Sequence, residues 1–322
     1  MLPTQLGRHF WPEWAFVNGI RVDYFSPTIY VTDILIFLLV ILNLFQDPAP
    51  GGRFRVKPGM TLIYCVTGLL VLLNIYFSIS PAVSLYKWLK VAEFGFLVWW
   101  ISHFKFQISN FKFLLIPIFY ESVLAVWQWW QQGSIGGIWY WLGERTFNAA
   151  TPGIAHGRPY GTFSHPNVLA GFLIVSGFLI IKDIPRNYRI ITVAIIGLVF
   201  FLTLSRGNLI NGWNLRQQLN NIAVQQFSHH PFFGTGLGTS PLYPRNITNY
   251  ALVHQPIHNI YLLVLAETGI LGVLGVLGIL GKLKIKITLP LVVILLLGFF
   301  DHYWLTLQQG QLLLALVIGI II

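Results

Sequence analysis

Apolar residues in this chain come in long unbroken runs, not in the alternation of a half-buried strand or the single stripe of a surface helix. Nine runs can be bounded, at about 29–45, 60–78, 82–102, 111–130, 167–182, 189–204, 258–281, 286–300 and 303–322. A membrane span needs about 20 such residues. An open strand in lipid would leave backbone groups unpaired, so the spans should be helices. The pattern therefore predicts an all-α integral membrane protein, a multispanning bundle of about nine transmembrane helices. No internal repeat or hydrophilic linker divides it, and residues 1–322 read as a single membrane domain.

Two long segments, 131–166 and 205–257, interrupt this pattern. The second begins at Ser205-Arg206-Gly207 and ends before His258-Asn259. Within it, Leu215, Leu219, Ile222 and Phe227 fall near helical spacing, which predicts a helix over 213–227 lying flat on the bundle or in the interface. A Gly-rich turn follows, Pro231-Phe232-Phe233-Gly234-Thr235-Gly236-Leu237-Gly238.

Composition strengthens the membrane reading. Only 9% of residues are charged, against roughly 25% in soluble domains, and mean hydropathy is +0.68. Cys65 is the only cysteine, which excludes disulfide frameworks and thiolate metal sites. The start, Met1-Leu2-Pro3, lacks the charged and apolar regions of a signal peptide. The net charge of +10 does not point to nucleic acid, because the basic residues are dealt out between the apolar runs. Eleven lie in short alternate loops, around Arg53–Lys57, Lys105–Lys112, Lys182–Arg189 and Lys282–Lys286, and seven are spread over the longer segments. The dense set is cytoplasmic by the positive-inside rule. Segments 131–166 and 205–257 then face outward. Every outward basic residue is Arg, including Arg145, Arg158, Arg206 and Arg216. Chance is one account. Phosphate handling is another, because Arg offers a planar fork that Lys lacks.

Charges inside the runs are few. Lys87, Lys90 and Glu93 share one face of the third run at spacings of three, which reads as a buried structural pair rather than a transport site. Glu121 and Glu267 should face the bundle interior or a wet cavity. Glycines at 269, 272, 275, 278 and 281 read as a packing stripe. Trp139, Tyr140 and Trp141 read as interface anchors, with covering a cavity as the alternative.

Three polar features remain on the outer side. They are Arg158-Pro159-Tyr160-Gly161-Thr162-Phe163-Ser164-His165-Pro166-Asn167, Ser205-Arg206, and His258-Asn259. Each has a plainer account. Arg206 suits a snorkelling residue at a helix C-terminus, His165-Pro166-Asn167 a turn and cap, Arg158 an ordinary loop position and His258 an interfacial anchor. Together they set two guanidiniums and an imidazole at one membrane depth, an inventory for binding a diphosphate and moving a proton. Metal chemistry fits poorly: the outward acids Glu13, Asp23, Glu144 and Asp301 form no Asp-x-Asp pair, and the six histidines between 156 and 258 match no His-x-x-x-His helix motif, since Pro256 interrupts the one pair at that spacing, His254 and His258. No Gly-x-Ser-x-Gly signals a serine hydrolase.

The ordered set of 158–167, Leu204-Ser205-Arg206-Gly207, the 230–238 segment His-Pro-Phe-Phe-Gly-Thr-Gly-Leu-Gly, and His258-Asn259-Ile260-Tyr261 with Glu267-Thr268-Gly269 resembles the O-antigen ligase family. That superfamily also contains Wzy-type polymerases and bacterial protein O-oligosaccharyltransferases. The resemblance runs from about residue 29 to the end. It implies a GT-C-like glycosyltransferase of the bacterial plasma membrane, with its active site on the outer face and without metal or other cofactor. Its donor would be a polyprenyl-diphosphate-linked glycan, and its acceptor the hydroxyl of a lipid, glycan or protein. On the matching positions, Arg158 and Arg206 would hold the donor diphosphate and His258 would act on the acceptor hydroxyl. His165, Asn167 and Tyr261 are expected to contact substrate. These roles suit the residue types. Arginines stabilise charge growing on a leaving diphosphate, and a sugar hydroxyl needs a base such as His to take its proton.

The chain departs from the family twice. His230 follows Arg206 by only 24 positions, where the family carries further spans, and the first seven residues read like the outer end of an absent helix. A truncated member is therefore expected. A carrier or flippase for lipid-linked sugar, and a non-catalytic relative that only binds lipid diphosphate, are the alternatives.

Overall fold

A computed structural model describes residues 6–45, 58–103, 114–148, 157–182, 184–204, 209–244, 254–283 and 285–322. These residues are mostly helical. Four short strands open the chain: β1 (Gly7–His9), β2 (Phe16–Val17), β3 (Ile20–Arg21) and β4 (Thr28–Tyr30). The helices follow as α1 (Val31–Phe45), α2 (Pro58–Tyr76), α3 (Pro81–His103), α4 (Leu115–Gln131), α5 (Ile138–Trp141), α6 (Pro166–Ile180), α7 (Arg186–Leu204), α8 (Leu209–His229), α9 (Ile260–Leu280), α10 (Leu289–Gly298), α11 (Tyr303–Thr306) and α12 (Gln308–Ile321).

Among the described residues each of the nine apolar runs is mostly helix, and the helix expected over 213–227 is the larger part of α8. The helical expectation is met, but a bundle of nine membrane spans is not shown. Among the described residues, α9 alone is both long and apolar enough to cross a membrane by those two measures. Val31–Leu42, Cys65–Tyr76, Pro166–Ile180, Leu289–Gly298 and Gln308–Ile321 are apolar but shorter. The last run is divided. Leu307 is extended between α11 and α12 (φ −109°, ψ 136°), and Gly310 packs directly on the Tyr303 carbonyl.

The chain packs as two compact units. The first joins Val98–Gln217 to Lys286–Ile322. Its centre is α6, which packs against α4, α7, α10 and α12 and is buried on nearly every side. That matches a sequence apolar all round. Pro166 opens α6 at a position where no N–H is needed. At Gly171 a Cβ would lie 2.0 Å from the Tyr303 hydroxyl, so the glycine admits that ring to the core. On α5, Trp139 packs against Tyr120 and Trp127, while Tyr140 and Trp141 stay exposed as anchoring would require.

The second unit joins Gly7–Leu97 to Gln218–Ile285. β1 pairs with β4, and β2 with β3 across the Asn18–Gly19 turn, both antiparallel. Ala15, Val22, Phe25 and Val83 form a small core beneath them. These hairpins are absent from the run-based reading, although Val17-Asn18-Gly19-Ile20 carries the standard Asn-Gly signal. On α3, Lys90 pairs with Glu93 at 2.7 Å as its spacing predicts, and Asp33 of α1 adds a second carboxylate at 2.8 Å.

The α9 helix is broken at Gly269 (φ 65°, ψ −174°). The break frees backbone groups in the middle of an apolar helix, and the Gly-rich turn binds them. Ala266 and Glu267 carbonyls accept from Thr235 N (3.2 Å) and Gly236 N (2.9 Å), while Ile270 N and Leu271 N donate to the Pro231 (2.9 Å) and Phe232 (3.2 Å) carbonyls. The Glu267 carboxylate continues the pattern, accepting from Gly238 N at 2.8 Å and Ser240 N at 3.0 Å. Asn74 of α2 joins turn and helix, donating to the Phe233 and Glu267 carbonyls and accepting from Leu237 N. Gln226 of α8 donates to the Thr235 hydroxyl. The turn is thus a backbone clamp on α9. Glu267 faces protein as expected of it, and Gly269 is a break rather than a packing position.

Candidate functional site

In the first unit the site is built from the polar face of α4. Glu121 and Gln128 are seven residues apart, two helical turns, so their side chains share one face. Both are fully buried, and both bind the backbone of the Arg158–Asn167 segment. Glu121 accepts from Thr162 N at 3.0 Å and from the Thr162 hydroxyl at 2.6 Å. Gln128 Oε1 accepts from Tyr160 N at 2.9 Å and Gly161 N at 2.7 Å. Gln128 Nε2 donates to Glu144, whose carboxylate also takes Ile135 N and Gly136 N. From the other side, Arg145 N donates to the Gly161 carbonyl and Gln309 Nε2 to the Thr162 carbonyl. Gly161 sits at φ 60°, and a Cβ there would lie 2.2 Å from Glu121 Oε2. Only glycine fits this close approach.

This network fixes residues 160–162, and Arg158 stands just before them, half-buried. Burial lowers the Arg158 guanidinium below its ordinary value. Tyr160 opposes that fall, and the nearby positive Arg216 adds to it. Arg216, on α8, is held by two backbone carbonyls. Its Nε donates to Phe300 O at 2.7 Å and its Nη1 to Gly212 O at 3.1 Å. Among the described residues neither guanidinium has a carboxylate at ion-pair distance.

His165 and Asn167 take up the turn-and-cap arrangement. His165 Nδ1 accepts from Asn167 N at 3.1 Å as the N-cap of α6. Asn167 Nδ2 donates to Asp301 Oδ2 at 3.0 Å. Arg206, and the whole Ser-Arg-Gly feature, lies outside the described residues.

In the second unit, Asn259 is the N-cap of α9, its Oδ1 accepting from Tyr261 N (3.0 Å) and Leu262 N (3.1 Å). His258 precedes it, with Nδ1 2.9 Å from the Pro256 carbonyl. A carbonyl only accepts, so Nδ1 carries the proton in the neutral ring and Nε2 is the basic nitrogen. His258 is half-buried and Tyr261 is exposed on the first turn of α9. The structure therefore gathers Arg158, His165 and Asn167 in the first unit and His258 and Tyr261 in the second.

Sequence reasoning missed Arg216 as the neighbour of Arg158. The signal was present, since Arg216 belongs to the all-arginine outer set, but it sits in no motif. It also missed that Glu121 and Gln128 are the supports of the 158–167 segment. Replacing Thr162 with valine keeps the shape and deletes the hydroxyl that Glu121 binds. The expected loss is about 1–3 kcal/mol of stability, the range for leaving a buried acceptor short of a partner. A thermal melt of the purified protein in detergent checks it, and an unchanged midpoint would show that the hydroxyl contact carries no weight.

Comparison with family models, curated proteins and solved structures found no match.

Proposed function

We propose that this chain is a multispanning, GT-C-like membrane glycosyltransferase. It transfers a glycan from a polyprenyl-diphosphate donor to an acceptor hydroxyl at the outer face of the bacterial plasma membrane. The observation that carries the reading is the way the 158–167 segment is held. A loop with an arginine of altered environment is fixed by one buried acid and one buried amide of α4, Glu121 and Gln128. Fixed donors aimed at developing charge usually lower the barrier of such reactions more than any other single effect.

His258 Nε2 takes the proton of the acceptor hydroxyl. The hydroxyl oxygen bonds to the anomeric carbon, the carbon–oxygen bond to the diphosphate breaks, and polyprenyl diphosphate leaves with the electron pair. Arg158 and Arg206 stabilise the charge that collects on it. In this reading His165, Asn167 and Tyr261 contact substrate.

Membrane residence is supported by what the helices leave uncovered. Leu72 of α2, Ile116 and Phe119 of α4, Ile190 and Phe201 of α7 and Leu277 of α9 all stay more than half exposed. Large apolar side chains left this exposed on several helices suit contact with lipid tails. A carrier would need mobile mid-membrane charges, and Lys90 is tied to two carboxylates instead.

The direct test is transfer by purified protein from a polyprenyl-diphosphate glycan to candidate hydroxyl acceptors. No transfer to any acceptor class, from a donor that the protein binds, would sink the enzymatic reading. Topology gives a second test. After Cys65, which is exposed, is replaced by serine, single cysteines are placed at the exposed positions Ile138 and Lys282. In intact cells an impermeant maleimide should label position 138 and spare 282; the reverse pattern would overturn the orientation.

A further inference from the structure

We propose that Arg216 is a further ligand of the donor diphosphate, gripping it together with Arg158 beside the Phe300–Asp301 turn; this rests on the transfer reading above. Two elements converge on that turn. Asn167, at the end of the segment that carries Arg158, donates to Asp301, and Arg216 of α8 donates to the adjacent Phe300 carbonyl. Arg216 is also tied to the Gly212 carbonyl, so its planar fork is oriented at two points before any ligand arrives. Neither bond uses the Nη2 edge, which leaves that edge of the guanidinium for an incoming anion.

Charge points the same way. The two guanidiniums are close enough to repel, and both are half-buried. Backbone carbonyls orient Arg216 without neutralising it. The nearest acid on the turn, Asp301, already accepts Asn167 Nδ2 and the His302 N–H at 2.9 Å. It offsets one of two positive charges, so a net positive site remains. An anion between the arginines converts their repulsion into attraction. A diphosphate has two phosphoryl groups to offer two forks from different elements, and bidentate guanidinium pairing suits each. The competing role is structural, with Arg216 serving only to bind the last carbonyls beyond α10.

The test uses inorganic diphosphate and the full purified chain. An arginine-modifying dicarbonyl, read by peptide mass spectrometry, should modify Arg158 and Arg216 more slowly when diphosphate is present, and exposed Arg21 at an unchanged rate. R216K and R158K should each weaken diphosphate binding by roughly ten- to a hundredfold, the range for a charge-assisted hydrogen bond. Because R216K also loses bonds to the Phe300 and Gly212 carbonyls, its affinity is measured at a temperature where a thermal melt without diphosphate shows it folded. Protection of Arg158 without Arg216, or wild-type affinity in R216K, overturns the proposal and leaves Arg216 as a helix cap. Protection of both arginines in a protein that transfers no glycan keeps the site and removes the transfer reading. Transfer by R216K at the wild-type rate with unchanged diphosphate binding does the opposite.

Discussion

Replacing Gly269 with alanine is expected to destabilise the second unit by about 2–6 kcal/mol. Two costs add. The backbone there has φ 65° and ψ −174°, a region that is essentially glycine-only and costs about 1–3 kcal/mol for other residues. A Cβ would also lie 2.3 Å from the Phe232 carbonyl oxygen and 2.6 Å from Gly234 N. Both are backbone atoms of the clamp, so neither can swing aside, and overpacking of this kind costs typically about 1–3 kcal/mol. If the turn is pushed off, the carbonyls of Ala266 and Glu267 and the N–H groups of Ile270 and Leu271 lose their partners in the middle of an apolar helix. Gly278 supplies the control. It lies in the same helix with open space at its Cβ position, and alanine there should be neutral or stabilising by up to about 1 kcal/mol. The measurement is the unfolding midpoint of both variants in the same detergent. Equal midpoints for Gly269→Ala and Gly278→Ala would show that the break in α9 does not hold the unit together.

The break explains where the sequence was legible and where it was not. Run length and apolarity located α1 to α4, α6, α7, α9 and α10 because a buried helix writes its own pattern over its whole length. The break in α9 leaves no such mark. Gly269 is one of five evenly spaced glycines, and what separates it from the other four is the turn that meets it, distant in sequence. The local hint was Glu267, a carboxylate in an apolar run, which the structure shows bound to the N–H groups of Gly238 and Ser240. The division at Leu307 is hidden for the same reason, since Tyr303-Trp304-Leu305 continues the apolar run. On the site, motif order picked out Arg158, and the pairing of Glu121 with the protein interior was readable from its charge alone. The neighbour Arg216 was not, because it reaches Phe300 by tertiary packing across 84 positions of sequence.

Removing the His258 imidazole is expected to separate catalysis from donor binding. In His258→Ala, transfer should fall about 10²–10⁴-fold, the usual contribution of a positioned general base, while affinity for the polyprenyl-diphosphate donor stays at the wild-type level. The reason lies in the ring's orientation. The Pro256 carbonyl holds the Nδ1 proton, so Nε2 is the nitrogen that can take a proton from the acceptor. The helix start does not depend on the ring, because Asn259 caps α9 with its own side chain. Arg158→Lys should behave differently. It keeps the charge and loses the fork, so donor affinity and rate fall together, the rate by about 10²–10³-fold. Added imidazole supplies the final discrimination. It should restore part of the transfer activity of His258→Ala and none of that of Arg158→Lys, because a free base can replace a missing proton acceptor but not a missing phosphate ligand. A His258→Ala protein that transfers at the wild-type rate, or that loses donor binding as Arg158→Lys does, would remove His258 from the role of acceptor base.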